Sequence, residues 1–212
     1  MTMQFFRPYM GEKYSEGICG KKVLVVDASF YCNHREYYCF RQCTNPCIKD
    51  SSSFNTDCPI CKAYNFKLCD EPTRSIAEAS GTYKRFAKFM GKYVESTDYK
   101  EIWSYMAFTS YVQFFLPEGT HHSRDTRMSD LSDRDFEAFN ETLKELEPDI
   151  VIVWGCTFSY RIKEGNADIV DRGMLEKTQW YVCQIRPLDM DKTVTIINPH
   201  HPCSSAWFFE MH

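Results

Sequence analysis

Two kinds of hydrophobic pattern alternate along this chain. Val23-Leu24-Val25-Val26 is a short, unbroken apolar run that ends in Asp27-Ala28-Ser29. A run without polar alternation predicts a strand buried on both faces and opening into a loop. From Pro72 to Glu95 the spacing changes: Ile76, Ala79, Tyr83, Phe86, Phe89, Met90 and Tyr93 recur at near-helical intervals. That predicts a helix with one apolar face, with Gly81 and Gly91 as expected breaks. Tyr99 to Tyr105 reads as a short helix, and Ala107 to Leu116 as a second strand stopped by Pro117-Glu118-Gly119. After a polar loop, Ser132 is placed to cap a helix with Asp133 and Asp135 in its first turn. Phe136, Phe139, Leu143 and Leu146 form the apolar stripe of that helix, and Pro148 ends it. Ile150 to Val153 predicts a third buried strand, closed by Trp154-Gly155. A short helix is expected over Thr157 to Ile162. Trp180 to Ile185 and Thr193 to Ile197 predict two more strands, with a turn at Pro187 to Lys192 between them.

Strands alternating with helices predict the α/β class: a three-layer α/β/α domain with a mainly parallel central sheet. In such sheets ligands bind beyond the carboxyl ends of the strands. The segments that matter are therefore Asp27 to Cys32, Ser110 to Gly119, Gly155 to Tyr160 and Asn198 to Trp207. The sequence holds no internal repeat, no P-loop and no dinucleotide fingerprint. A length of 212 residues fits a single α/β domain, with 33–71 read as a cysteine-rich insertion within it.

Composition sharpens that division. Of the 11 cysteines, Cys39, Cys43, Cys47, Cys58, Cys61 and Cys69 fall in the least periodic part of the chain. Cys58-x2-Cys61 has the knuckle spacing of a tetrahedral metal site, in which a short loop turns two thiolates toward one ion. Cys43-x3-Cys47 supplies a second pair, with Cys39, Cys69 or His34 as alternatives. The expected cofactor is a structural zinc, closed to substrate. An iron–sulfur cluster and thiols packed as small apolar side chains are the competing readings. Met1 to Tyr14 lacks the apolar core and cleavage site of a secretory leader. Together with an odd cysteine count, this predicts a reducing, cytoplasmic setting. No apolar run approaches the roughly 20 residues that span a bilayer, so no membrane partner is expected. The net charge of -4 excludes a uniformly basic nucleic-acid coat protein but leaves room for a local basic groove.

The richest strand-end segment is Asn198-Pro199-His200-His201-Pro202-Cys203-Ser204-Ser205. A histidine held between prolines can donate a hydrogen bond to a developing oxyanion. A solvated terminal loop is the plainer reading of the same residues.

Taken in order, the strand-end segments resemble the uracil-DNA glycosylase superfamily. The matching stretches are Val23 to Tyr31, Phe108-Thr109-Ser110-Tyr111-Val112-Gln113, Ile150 to Gly155, and His201-Pro202-Cys203-Ser204. Phe108 to Gly155 is most similar to the iron–sulfur-containing branch, although Cys39 to Cys69 do not reproduce that branch's cluster spacing. The family's first loop usually opens with Gly and carries an acid or amide that positions water. Two alignments are open here. In the preferred one, Asp27 stands for the glycine, Ser29 for the acid, and Tyr31 for the aromatic wall of the pocket. In the other, Asp27 itself is the acid. The base-reading Asn of the second motif corresponds to Ser110, with Gln113 close by. Serine lacks the paired donor and acceptor by which an amide reads a pyrimidine edge.

The resemblance implies a DNA-repair hydrolase that flips a modified base out of the stack and breaks its glycosidic bond. It makes His201, Asp27 and Ser29 the catalytic candidates, and Phe30, Tyr31, Ser110 and Gln113 the base-binding ones. Arg124 and Arg127, with His121 and His122, are expected to meet phosphates. The altered first loop supports a rival reading: a catalytically inactive nucleic-acid-binding module, or a metal-tied module that contacts protein partners, on the same fold.

Overall fold

The computed structural model describes residues 3–28, 31–32, 81–113, 116–117, 131–154, 168–174, 180–199 and 201–202. Along these residues the strands are β1 (Tyr9–Met10), β2 (Val23–Asp27), β3 (Tyr31–Cys32), β4 (Met106–Ser110), β5 (Leu116–Pro117), β6 (Ile150–Val153), β7 (Asp168–Met174), β8 (Tyr181–Arg186) and β9 (Val194–Asn198). The helices are α1 (Gly81–Val94), α2 (Tyr99–Ser104) and α3 (Asp133–Leu146). The region 33–71, with Cys43, Cys47, Cys58 and Cys61, lies outside the described residues, as does the helix expected over Thr157 to Ile162.

The run Val23 to Val26 forms the middle of the sheet, as its lack of polar positions demands. The seven-stranded sheet has the order β1-β4-β2-β6-β9-β8-β7. Its four central strands, β4, β2, β6 and β9, are parallel. The margins are antiparallel: β1 against β4, β8 against β9, and β7 against β8. A connection as short as the one between β8 and β9 permits only antiparallel pairing, because a parallel neighbour needs a long crossover. β7 carries Asp168, Asp171 and Gly173, residue types depleted in strands, which weakens its strand signal. It is tolerated at an edge, with a register shift between Ile169 and Asp171.

Side-chain alternation along the central strands divides the core in two. Val23, Val25, Phe108, Ile152 and Trp154 face one way, against Tyr83, Phe86 and Met90 of α1 and Ile102 and Trp103 of α2. Leu24, Val26, Ala107, Val151 and Ile196 face the other, against Phe139, Leu143 and Leu146 of α3. The described residues therefore form three layers, helix over sheet over helix.

Two local outcomes depart from the sequence expectation. The second strand ends at Ser110 rather than reaching Leu116. The N–H groups of both Tyr111 and Val112 turn toward the end of β2, to the carbonyls of Asp27 and Ala28, each at 3.0 Å. Consecutive amides of a strand point to opposite sides, so the chain has bent here. Leu116 belongs instead to a small parallel pairing of β5 with β3 beyond the sheet. Gly91 does not break α1. A Cβ there would lie 2.5 Å from the Ser96 carbonyl oxygen, so the glycine permits a close approach inside a continuous helix. The part of this helix expected before Gly81 lies outside the described residues. Ser132, by contrast, caps α3 as expected, in a capping box with Asp135. The helix ends at Glu147 in the left-handed conformation, immediately before Pro148.

Candidate functional site at the carboxyl ends of the parallel strands

Parallel alignment puts the carboxyl ends of β4, β2, β6 and β9 along one edge of the sheet. Asp27 ends β2 and lies opposite Ser110, the last residue of β4. By the alternation of their strands, both share a face with Phe108 and Trp154. The Ser110 hydroxyl donates to Asp27 Oδ1 at 2.6 Å. That length is typical of a hydroxyl bonded to an ionised carboxylate. Ser110 is fully buried, whereas Asp27 is half-buried. The site thus has a carboxylate within reach of solvent, with one oxygen held from below.

The next layer is polar and internal. Gln113 Nε2 donates to the Ser110 carbonyl at 2.7 Å. Its Oε1 accepts from the backbone N–H groups of Phe5 and Phe6, at 2.8 and 3.0 Å. Its own N–H donates to Asp135 Oδ1 at 2.8 Å. Asp135 also accepts the Ser132 N–H and hydroxyl, both at 2.8 Å. Burial pushes the Asp135 carboxyl up to about 6, against the opposing pull of its bonds from Gln113 and Ser132 and of the Arg134 charge. The N-terminal segment is fixed along α3 by further bonds. The Met3 N–H donates to both Glu141 carboxylate oxygens, and Gln4 Nε2 donates to Thr142 Oγ1.

Trp154, just past β6, is tied to the central strand by donating its backbone N–H to the Val26 carbonyl at 2.8 Å. Its ring packs against Phe86, Tyr83 and Trp103 beneath. The His201 ring stands edge-on to the Trp154 ring, with centroids 6.1 Å apart. The adjoining Pro202 carbonyl accepts from Arg85 Nη1 of α1 at 3.5 Å. Asn198, at the end of β9, donates from Nδ2 to the Val153 carbonyl at 2.7 Å and joins the last strand end to the third.

Of the residues expected to act, the structure therefore gathers Asp27, Ser110 and His201 at one edge. The Tyr31 backbone lies in β3, paired with Leu116, so the segments following β2 and β4 run side by side. Two of the expected base-binding residues are engaged in internal bonds. Gln113 was expected to read a base edge, but its amide is buried and bonded to the backbone on both of its polar atoms. Ser110 was expected beside it in that role, but its hydroxyl proton goes to Asp27. Ser29, Phe30, Arg124 and Arg127 lie outside the described residues. Arg85 and Asn198 were not singled out as site residues. Arg85 has no sequence signal beyond a helical charge. Asn198 could have been found as an amide ending a buried parallel strand.

Among the described residues no cluster of His, Cys, Asp or Glu could hold a metal ion, and no helix is long and apolar enough to cross a membrane. The chain matches no protein-family model and no curated protein.

Proposed function

We propose that this chain is a divergent uracil-DNA glycosylase-like enzyme that hydrolyses the N-glycosidic bond of a modified base in DNA. One observation carries the reading. The segments that resemble the superfamily follow four contiguous parallel strands, whose shared edge brings Asp27 with its bound Ser110 and the His201–Trp154 pair to one end of the sheet.

In this reading the base leaves the stack and enters the space beyond the strand ends. The C–N bond breaks with positive charge on the sugar and negative charge on the base. His201 donates a hydrogen bond to the base oxygen as that charge develops. Asp27 faces the sugar, balances its charge and positions the water that adds at the anomeric carbon. This favours the alignment in which Asp27 itself is the acid, because it is Asp27 that Ser110 holds. Phe30 and Tyr31 stack on the base, and Arg124 and Arg127 meet phosphates. A zinc held by Cys43, Cys47, Cys58 and Cys61 would tie the intervening segment without entering the chemistry.

The test offers single- and double-stranded oligonucleotides containing uracil, hypoxanthine or xanthine, followed by alkaline cleavage of abasic sites. Wild type is expected to cleave at least one. Asp27→Asn and His201→Ala should each lower the rate by about 100-fold or more. Absence of cleavage by the wild type, or equal cleavage by His201→Ala, overturns the reading. Retained DNA binding without cleavage would support the non-catalytic module. Elemental analysis of protein purified without added metal tests the zinc site. About one equivalent is expected, and it should be lost in a Cys58→Ser/Cys61→Ser double variant.

A further inference from the structure

We propose that Ser110 is a positioning residue for Asp27, and that Gln113 locks Ser110 in place by joining the end of β4 to the N-terminal segment. The inference rests on the reading of Asp27 as the acid that faces the sugar and water. It assigns Ser110 and Gln113 a role behind that acid instead of against the base.

The geometry is a short relay of hydrogen bonds with a direction. The amides of Phe5 and Phe6 both donate to Gln113 Oε1. Gln113 Nε2 donates to the Ser110 carbonyl. The Ser110 hydroxyl donates to Asp27 Oδ1 at 2.6 Å. A carboxylate at the end of a strand has two rotatable bonds, and one buried donor on one oxygen fixes its plane. A serine does this well because its hydroxyl is short and rises from a backbone already paired with β2. The same shortness makes it poor at reaching a base past Asp27.

Gln113 matters because β4 stops at Ser110. Beyond that point the ladder gives way to a bend, in which Tyr111 and Val112 donate to the Asp27 and Ala28 carbonyls and the Ser110 carbonyl takes a short side-chain bond. The glutamine amide supplies it. Its other side accepts two adjacent backbone amides, an arrangement that only a side-chain oxygen with two lone pairs can complete. Its backbone N–H is meanwhile held by Asp135. The N-terminal segment therefore braces the site without entering it.

The expected behaviour separates positioning from base reading. Ser110→Ala should lower kcat by about tenfold and leave KM close to wild type. It should also move the acid limb of the pH–rate profile to higher pH, because the ionised carboxylate loses a donor. Ser110→Thr, which keeps the hydroxyl, should restore both. Gln113→Leu should move the limb in the same direction, and circular dichroism checks that the variant is folded. A direct measurement is independent of turnover: the Asp27 carboxyl carbon, followed by NMR against pH with Asp27→Asn for assignment, should titrate at higher pH in Ser110→Ala. An unmoved Asp27 titration in Ser110→Ala overturns the proposal, as does a loss expressed in KM alone. If the wild type cleaves no substrate, the functional reading falls, and the carboxyl titration still decides whether Ser110 holds Asp27.

Discussion

The two faces of the central sheet are covered by helices through different chemistry. On the α1 and α2 side the core is a stack of rings: Tyr83, Phe86, Trp103, Phe108 and Trp154 pack mostly edge-to-face or tilted, at 4.9 to 6.3 Å between centroids. The indole N–H groups of Trp103 and Trp154 find no acceptor there among the described residues. On the α3 side aliphatic packing is interrupted by a buried polar network of Gln4, Gln113, Asp135 and Thr142. The first face gains its stability from buried area and ring geometry. The second sacrifices some of that to fix direction, since each buried hydrogen bond specifies one orientation and is costly to leave half made. Trp154 belongs to the first face and Gln113 to the second. The edge of the sheet where they meet is thus supported by bulk from one side and by bond direction from the other.

This contrast can be broken most severely on the aromatic face. Phe86→Ala removes a fully buried ring from between Trp103 and Trp154 and should cost about 3–5 kcal/mol in denaturant unfolding. On the polar face, Gln113→Leu conserves volume but strands the Phe5 and Phe6 amides, a loss of about 2–3 kcal/mol. Hydrogen exchange should show it locally, with those two amides exchanging faster than their neighbours. An Asp135 carboxyl raised to about 6 binds its proton more tightly folded than unfolded. Its contribution is therefore fully present below its ordinary value and is lost as pH rises through about 6. Lowering the pH from 7 to 5 should add ~1 kcal/mol from this group. Asp135→Asn should flatten that slope. The smallest effect is expected at the exposed Lys144–Asp189 ion pair, where Lys144→Ala should leave the unfolding midpoint unchanged.

The strands and helices whose signal is hydrophobic spacing were legible before any coordinates. Val23 to Val26, Ile150 to Val153 and the stripe of α3 needed only their own residues. The N-cap at Ser132 was legible for the same reason, because the hydroxyl and the backbone it serves lie three residues apart. The candidate site was legible in part. Asp27, Ser110 and His201 could be named from their places at strand ends. The work done by Ser110 and Gln113 could not, because their partners lie far along the chain. Gln113 bonds to Phe5 across 108 positions, and nothing local marks it as buried. β7 was missed because an edge strand borrows its order from β8 and needs little apolar content of its own.

The order of the central strands also bears on how the chain folds. The middle of the sheet forms only when β2 meets β4, and the Ser110–Asp27 bond between them spans 83 positions of sequence. The next junction, from Asn198 to Val153, spans 45. No two central strands are joined by a hairpin, so every ladder in the parallel core waits on the closure of a long loop. Such non-local pairing makes for slow folding at a given stability. Its equilibrium penalty is mild, because closure entropy grows with the logarithm of loop length, and doubling a loop adds only about 0.6 kcal/mol. A flexible insertion added between β2 and α1 should therefore change the melting point little, while the refolding rate registers the difference.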